Sequence, residues 1–346
     1  MNLTGERQHY VSRVLLERFK IPGKPLQCYQ IGTGAWKPKS IEKACAESGY
    51  NQLLTSGGTD NSLEEAFSKA ESRLPRTFKA LEAAAERKLT ELPLPIYHNL
   101  CQYCAFLKLS SLAAKAAAVV NFVYQVNFEV EAGQRDLLRE LEVPETTIAA
   151  WRAELLSGQR IIIEAENALQ LLYRNQFHRM FSGDYGMFNY TKWTVCKSPV
   201  DLPMSDIGLV PLHLEVNKAN HYILPIAPRL VVQGIFFHGV TKNRPRQPLK
   251  ALSLTQNEAE YCFDAICSSA VTEIVCSRKI PNIADSFARA KAKGINFLQI
   301  VSPREVTAAG LRDSPAEIHF RVVPTTAFVK FVHSFVKPAE SDSRNP

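Results

Sequence analysis

The sequence predicts an α+β fold: a helical bundle in the middle of the chain, then a C-terminal mixed or antiparallel sheet with two covering helices. Three observations carry this expectation. Apolar residues recur at helical spacing from about residue 61 to residue 182. Beyond Ser182-Gly183-Asp184 the pattern changes to short β-branched and aromatic runs bounded by proline and glycine. Finally, 346 residues of which 46% are hydrophobic can build a large core.

Residues 1–60 read as a short helix from Ser12 to Phe19, a turn at Ile21-Pro22-Gly23, and an extended segment from Leu26 to Ile31 that turns at Gly32 and Gly34. This section is expected to pack on the rest. After the loop Thr55 to Asp60, Asn61 or Ser62 can cap a helix carrying Leu63, Phe67, Ala70 and Leu74, kinked at Pro75 and running on to Lys88. Pro93 and Pro95 open a helix from Tyr97 to Val126, apolar on most of its circumference and therefore expected as the buried central member. Helices at Gln134–Leu141, Glu145–Leu156 and Arg160–Phe181 complete the bundle of residues 61–182. Residues 183–336 carry strands at Lys192–Cys196, Leu209–Leu212, His221–Leu224 and Leu230–Phe237, and helices at Gln256–Ser277 and Ile283–Lys293. Apolar runs follow at Ile295–Val301, Ile318–Val323 and Phe328–Val336. This section is expected to form one domain with the bundle, and residues 337–346 read as a loose tail.

The formal charge of +7 divides as +3 over residues 1–60, −2 over 61–190 and +6 over 191–346. Basic ends suit an acidic partner such as nucleic acid, although a mild excess is also an ordinary solvated surface. No stretch reaches the roughly 18 apolar residues of a membrane span, and charges sit where a secretory signal would be apolar, so a cytoplasmic protein is expected. The eight cysteines are scattered in apolar surroundings and read as reduced thiols. There is no phosphate-cradling glycine loop with lysine, no dinucleotide fingerprint and no serine nucleophile elbow, which weighs against nucleotide hydrolysis, nicotinamide chemistry and esterase chemistry.

Several short motifs occur in a recognisable order: Gln8-His9-Tyr10-Val11 followed by Leu15, Leu16 and Phe19; Leu63-Glu64 with Glu71; Trp193 ahead of Ser205-Asp206; and Leu224-Pro225-Ile226-Ala227-Pro228. Over about residues 7 to 278 the chain resembles a mostly bacterial family known as domain-of-unknown-function family 4238. The resemblance brings no established activity with it. Ser12 stands where that family usually has proline, and Ile207-Gly208 replaces a usual asparagine-proline, a departure that bears on any site built around Asp206.

His9 precedes the first helix, where an imidazole can bind a metal or move a proton, or simply hydrogen-bond the bundle and fix the N-terminal segment. Glu64 and Glu71, seven apart, share a helix face. With His9 and Asp206 they form a candidate catalytic set, and His9, Glu64 and Asp206 a candidate site for a divalent cation such as Mg or Mn that activates water on a phosphodiester. The plain alternative is that the two glutamates are solvated partners of Lys69 and Arg73. Glu215 and Lys218 are one residue too far apart to aim at one metal from a strand. Cys101 and Cys104 have zinc spacing without a second pair and read as core thiols on an apolar helix. Lys242, Arg244, Arg246 and Lys250 surround a proline and form the candidate phosphate-contacting loop.

The resulting expectation is a nucleic-acid-associated protein acting as a metal-dependent phosphodiesterase in bacterial defence or a mobile element. The competing one is a non-catalytic module that binds another protein and whose polar motif residues are structural.

Overall fold

The computed structural model describes residues 7–48, 53–55, 58–60, 62–87, 89–111, 144–156, 183–214, 219–237, 247–293 and 295. In chain order the N-terminal section holds β1 (Arg7–His9), α1 (Arg13–Glu17), β2 (Leu26–Gln30), β3 (Ala35–Lys39), β4 (Ala46–Ser48), β5 (Leu53–Thr55) and β6 (Gly58–Asp60). The middle holds α2 (Ser62–Glu71), α3 (Leu74–Ala85), β7 (Glu91–Leu92), α4 (Leu94–Ser110) and α5 (Glu145–Leu156). Then come β8 (Lys192–Lys197), β9 (Met204–Ser205), β10 (Val210–Leu214), β11 (Ala219–Ala227), β12 (Leu230–Phe237), β13 (Gln247–Pro248), β14 (Lys250–Ser253), α6 (Gln256–Ser269), β15 (Glu273–Cys276) and α7 (Asp285–Ala292). This is the α+β fold expected, with a mixed sheet among the C-terminal strands.

That sheet has the order β10-β11-β12-β8-β14, antiparallel except for β14, which runs parallel to β8. The inner strands β11 and β12 carry long apolar runs because both faces are covered. Along β12, Val232 joins the core beneath α3 and α4, while its neighbour Val231 joins the core beneath α6. The same alternation separates Leu224 from Ile223 on β11 and Val195 from Cys196 on β8.

The second sheet differs from the expectation of a purely C-terminal one. Its order is β3-β2-β15-β9, all antiparallel, so the N-terminal hairpin adds its strands to two from far along the chain. Gly34, at φ +67, closes the hairpin in a conformation that favours glycine. The helix expected to run to Ser277 stops at Ser269, because Val271-Thr272-Glu273-Ile274-Val275 is a largely β-branched run that gains more as a central strand.

Further boundaries shift for local reasons. Within the stretch read as a loop at 55–60, Thr55 ends β5 and Gly58–Asp60 form β6, paired with it, and His9 lies on a strand, paired with Ala46 of β4. Pro75 does not kink a continuous helix: α2 ends at Glu71, and Pro75 occupies the first turn of α3, where its missing N–H leaves nothing unpaired. A two-residue strand, β7, paired with β13, stands between α3 and α4 in the stretch expected to be helical. Helix α4 ends at Ser110, where Ser111 turns extended, rather than running on to Val126. The helices read at Gln134–Leu141 and Arg160–Phe181, the runs at Ile318–Val323 and Phe328–Val336, and residues 112–126 lie outside the described residues.

Helix α4 is buried on nearly every side. Leu100 and Cys104 join the main core, whereas Phe106 and Leu109 meet Phe67 and Ala70 of α2, with the Phe67 and Phe106 rings 4.6 Å apart. A helix without a polar face has to be covered in this way. All eight cysteine side chains are buried, Cys101 and Cys104 among them.

Gly234 pairs with Trp193 across β12 and β8, and a Cβ there would lie 2.5 Å from the Trp193 ring and 2.7 Å from Thr191. The indole is held by its N–H donating to the Phe188 carbonyl at 3.3 Å, so it cannot retreat freely. Gly234→Ala should therefore cost about 1–3 kcal/mol of stability, read as a lowered midpoint in urea unfolding with an unchanged slope.

Candidate functional site

Ser12 has backbone angles outside the helical range and accepts a hydrogen bond from the Val14 N–H at 3.2 Å, so it caps α1 and sets where Arg13 emerges. Four residues earlier, His9 donates from Nε2 to the Ile41 carbonyl at 2.9 Å and accepts at Nδ1 from the Arg13 Nε at 3.2 Å. Those partners assign the proton to Nε2 and engage both ring nitrogens. His9 is thus a group that orients Arg13, whose terminal guanidinium nitrogens remain on an exposed side chain.

Arg13 faces the end of α2. The Glu71 carboxyl is half-buried, beside the Ser12 side chain, and close enough to both Glu64 and Arg13 to feel their charges. Burial, and then repulsion from Glu64, push it up to about 7, while Ser12 and Arg13 pull it down. The Tyr103 hydroxyl of α4 is fully buried beside Ser12 and Glu71 and makes no well-formed hydrogen bond among the described residues. Arg13 therefore lies between His9, to which it donates, and Glu71, and Glu64 is near enough to Glu71 to raise it.

Asp206 does not belong to that group. It is fully buried, and its carboxylate accepts from the N–H groups of Val271 (2.8 Å), Thr272 (2.6 Å) and Glu273 (3.1 Å) and from the Thr272 hydroxyl (2.6 Å). Burial raises this carboxyl while the four donors pull it back. Fully buried and ringed by four donors, it is closed to a cation and serves as a brace. Among the described residues no three or more His, Cys, Asp or Glu side chains gather closely enough to hold a metal.

Glu273, 2% exposed, accepts from Gln30 Nε2 and the Cys45 N–H, both at 2.8 Å, and pairs with Lys39. It escaped sequence reading although an acid inside Val-Thr-Glu-Ile-Val is a signal, since a buried charge demands partners. Arg13, Ser12 and Tyr103 were missed as well; only the distance of His9 from the first helical turn hinted at Arg13. Of the candidate phosphate-contacting residues, Lys250 is exposed on the edge strand β14, not on a loop. Lys242, Arg244, Arg246, Glu215 and Lys218 lie outside the described residues.

A family model described as "Protein of unknown function (DUF4238)" matches residues 7–278. The chain belongs to that family. No curated protein and no solved structure matches it. The DUF4238 match spans both the Glu71 group and the Asp206 brace, so the short motifs of this family serve two different ends: one surrounds an accessible arginine, the other locks a turn. Among the described residues no helix is long and apolar enough to cross a membrane.

Two outcomes follow. Asp206→Ala strands three backbone N–H groups and should lower stability by about 3 kcal/mol or more in urea unfolding. Glu71 behaves oppositely. Its folded value of about 7 exceeds the ordinary 4.5, so the native state binds the extra proton between those values and stability falls as pH rises through that window. Glu71→Gln should therefore melt above the parent at pH 8, by up to about 3 kcal/mol, and level with it near pH 4.5.

Proposed function

We propose that this DUF4238 protein hydrolyses a phosphodiester, with nucleic acid as the substrate class, at the group formed by Arg13, Glu64, Glu71 and His9. The observation that carries this reading is a carboxyl titrating near neutrality beside an exposed arginine whose Nε is anchored on His9. A carboxyl poised near 7 can take the proton of an attacking water in one form and protonate the leaving oxygen in the other. Repulsion from the neighbouring Glu64 helps to hold Glu71 raised. The free ends of the guanidinium suit two oxygens of a phosphate. The basic excess toward both ends of the chain supports an anionic substrate. A cytoplasmic setting fits a defence or mobile-element role.

The non-catalytic reading draws on the wholly structural use of Asp206 and on the His9 bond to Ile41. Cleavage of bis(p-nitrophenyl) phosphate and of single- and double-stranded DNA and RNA, with and without magnesium or manganese, separates the two. Arg13→Ala and Glu71→Gln should each lower the rate by about 100-fold or more without lowering the melting temperature. Binding to nucleic acid should weaken steeply with salt. A wild type that cleaves none of these substrates under any of these conditions, and whose His9→Ala variant only melts earlier, assigns the motif to fold maintenance instead.

A further inference from the structure

A cleft of about 610 Å³ opens between α6, the segment Arg278–Asn282 and Arg289 of α7, and it shares no residue with the Glu71 group. Gln256, Glu260 and Phe263 line one wall from a single face of α6; Arg278 to Asn282 form the opposite wall; Asp201 and Arg289 stand at its ends. The volume is that of a small-molecule site. Half-buried Phe263, Ile280 and Val200 give it an apolar lining, so water alone fills it poorly.

The charges around this lining are unbalanced. Asp201 pairs with Arg229 at 2.8 Å and with Arg278 at 2.7 Å, and the buried Asp264 takes both Arg289 and Lys293. Each of these acids therefore has two cations. Exposed Lys279 has no acidic partner among the described residues, and Glu260 lies across the cleft accepting from Gln256. A surplus of positive charge beside an apolar wall draws an anion that also has a flat apolar part.

We propose that this cleft binds a nucleotide, with the base against Phe263 and Ile280 and the phosphate on Arg278 and Lys279. Bare phosphate would leave the apolar wall uncovered, and a bare nucleoside would leave the surplus charge unmatched. A nucleotide answers both, with the Gln256 and Asn282 amides available to the base edge. The ligand can be a free nucleotide or the phosphorylated end of a nucleic acid, which share this chemistry.

Calorimetric titration of the full chain at low salt with AMP, adenosine, inorganic phosphate and a short 5′-phosphorylated oligonucleotide tests the assignment. AMP should bind about tenfold more tightly than adenosine or phosphate, and Lys279→Glu and Arg278→Glu should each weaken AMP by about tenfold or more. Lys279→Glu should melt like the parent, since it breaks no ion pair, so lost binding in that variant is not lost folding. Glu71→Gln should bind AMP unchanged, which keeps this result separate from the fate of the hydrolytic reading. Competition between the oligonucleotide and AMP would assign the ligand to nucleic-acid ends, and its absence to free nucleotide; both support the site. No heat of binding with millimolar AMP, or equal AMP affinity in the charge-reversed variants, overturns it.

Discussion

The arrangement of the N-terminal third depends on one buried carboxylate. Asp206 accepts from three consecutive backbone N–H groups and a hydroxyl at the entry to β15, while its own N–H donates to the Glu273 carbonyl at 3.2 Å. This reciprocal clasp fixes β9 against β15. A charge in that position is tolerable because both oxygens are hydrogen-bonded, and removing a donor would leave the desolvation cost standing.

Glu273 carries the constraint toward the N-terminus. One carboxylate oxygen holds the Cys45 N–H, and the other collects Gln30 and Lys39 from the β2–β3 hairpin. Two buried acids with a single lysine leave the surroundings negative. Burial first, then Glu273, push the Cys28 thiol up to about 12, and the Tyr10 hydroxyl is raised well beyond its usual range by burial, Cys45, Asp206 and Glu273. The Tyr10 N–H in turn donates to the Cys45 carbonyl at 3.1 Å, one residue from His9. The position of the His9–Arg13 pair is thus inherited from the clasp, though no atom of Asp206 enters the site. A stability loss at Asp206 would for this reason also disturb the His9–Arg13 pair.

The elements most legible in the sequence were those whose signal is local. Strand β12 was read as Leu230–Phe237 and helix α5 as Glu145–Leu156, matching the structure because period and turn residues mark both ends. Strand β15 was not, because its apolar residues followed α6 at spacings compatible with another helical turn and only the partner strands β2 and β9, far away in sequence, decide the matter. Strands β3 and β14 carry lysine or proline and almost no apolar pattern, so pairing alone defines them. The same divide runs through the site. Glu64 and Glu71 could be placed together by helical spacing, but Arg13 and Tyr103 reach them from other elements, and no spacing rule connects those.

The residue at position 12 links the first helix to the Glu71 carboxyl. Ser12 caps α1 with its side-chain oxygen. Proline also begins a helix readily, because the first turn needs no N–H donor, but it has no hydroxyl. Two influences raise the Glu71 carboxyl, burial and Glu64, and two lower it, Ser12 and Arg13. A residue without a hydroxyl at position 12 would therefore shift that balance toward the protonated form. The clasp at Asp206 depends instead on backbone: Gly208 adopts φ +68 and turns the chain back, its N–H donating to the Ser205 carbonyl at 3.0 Å.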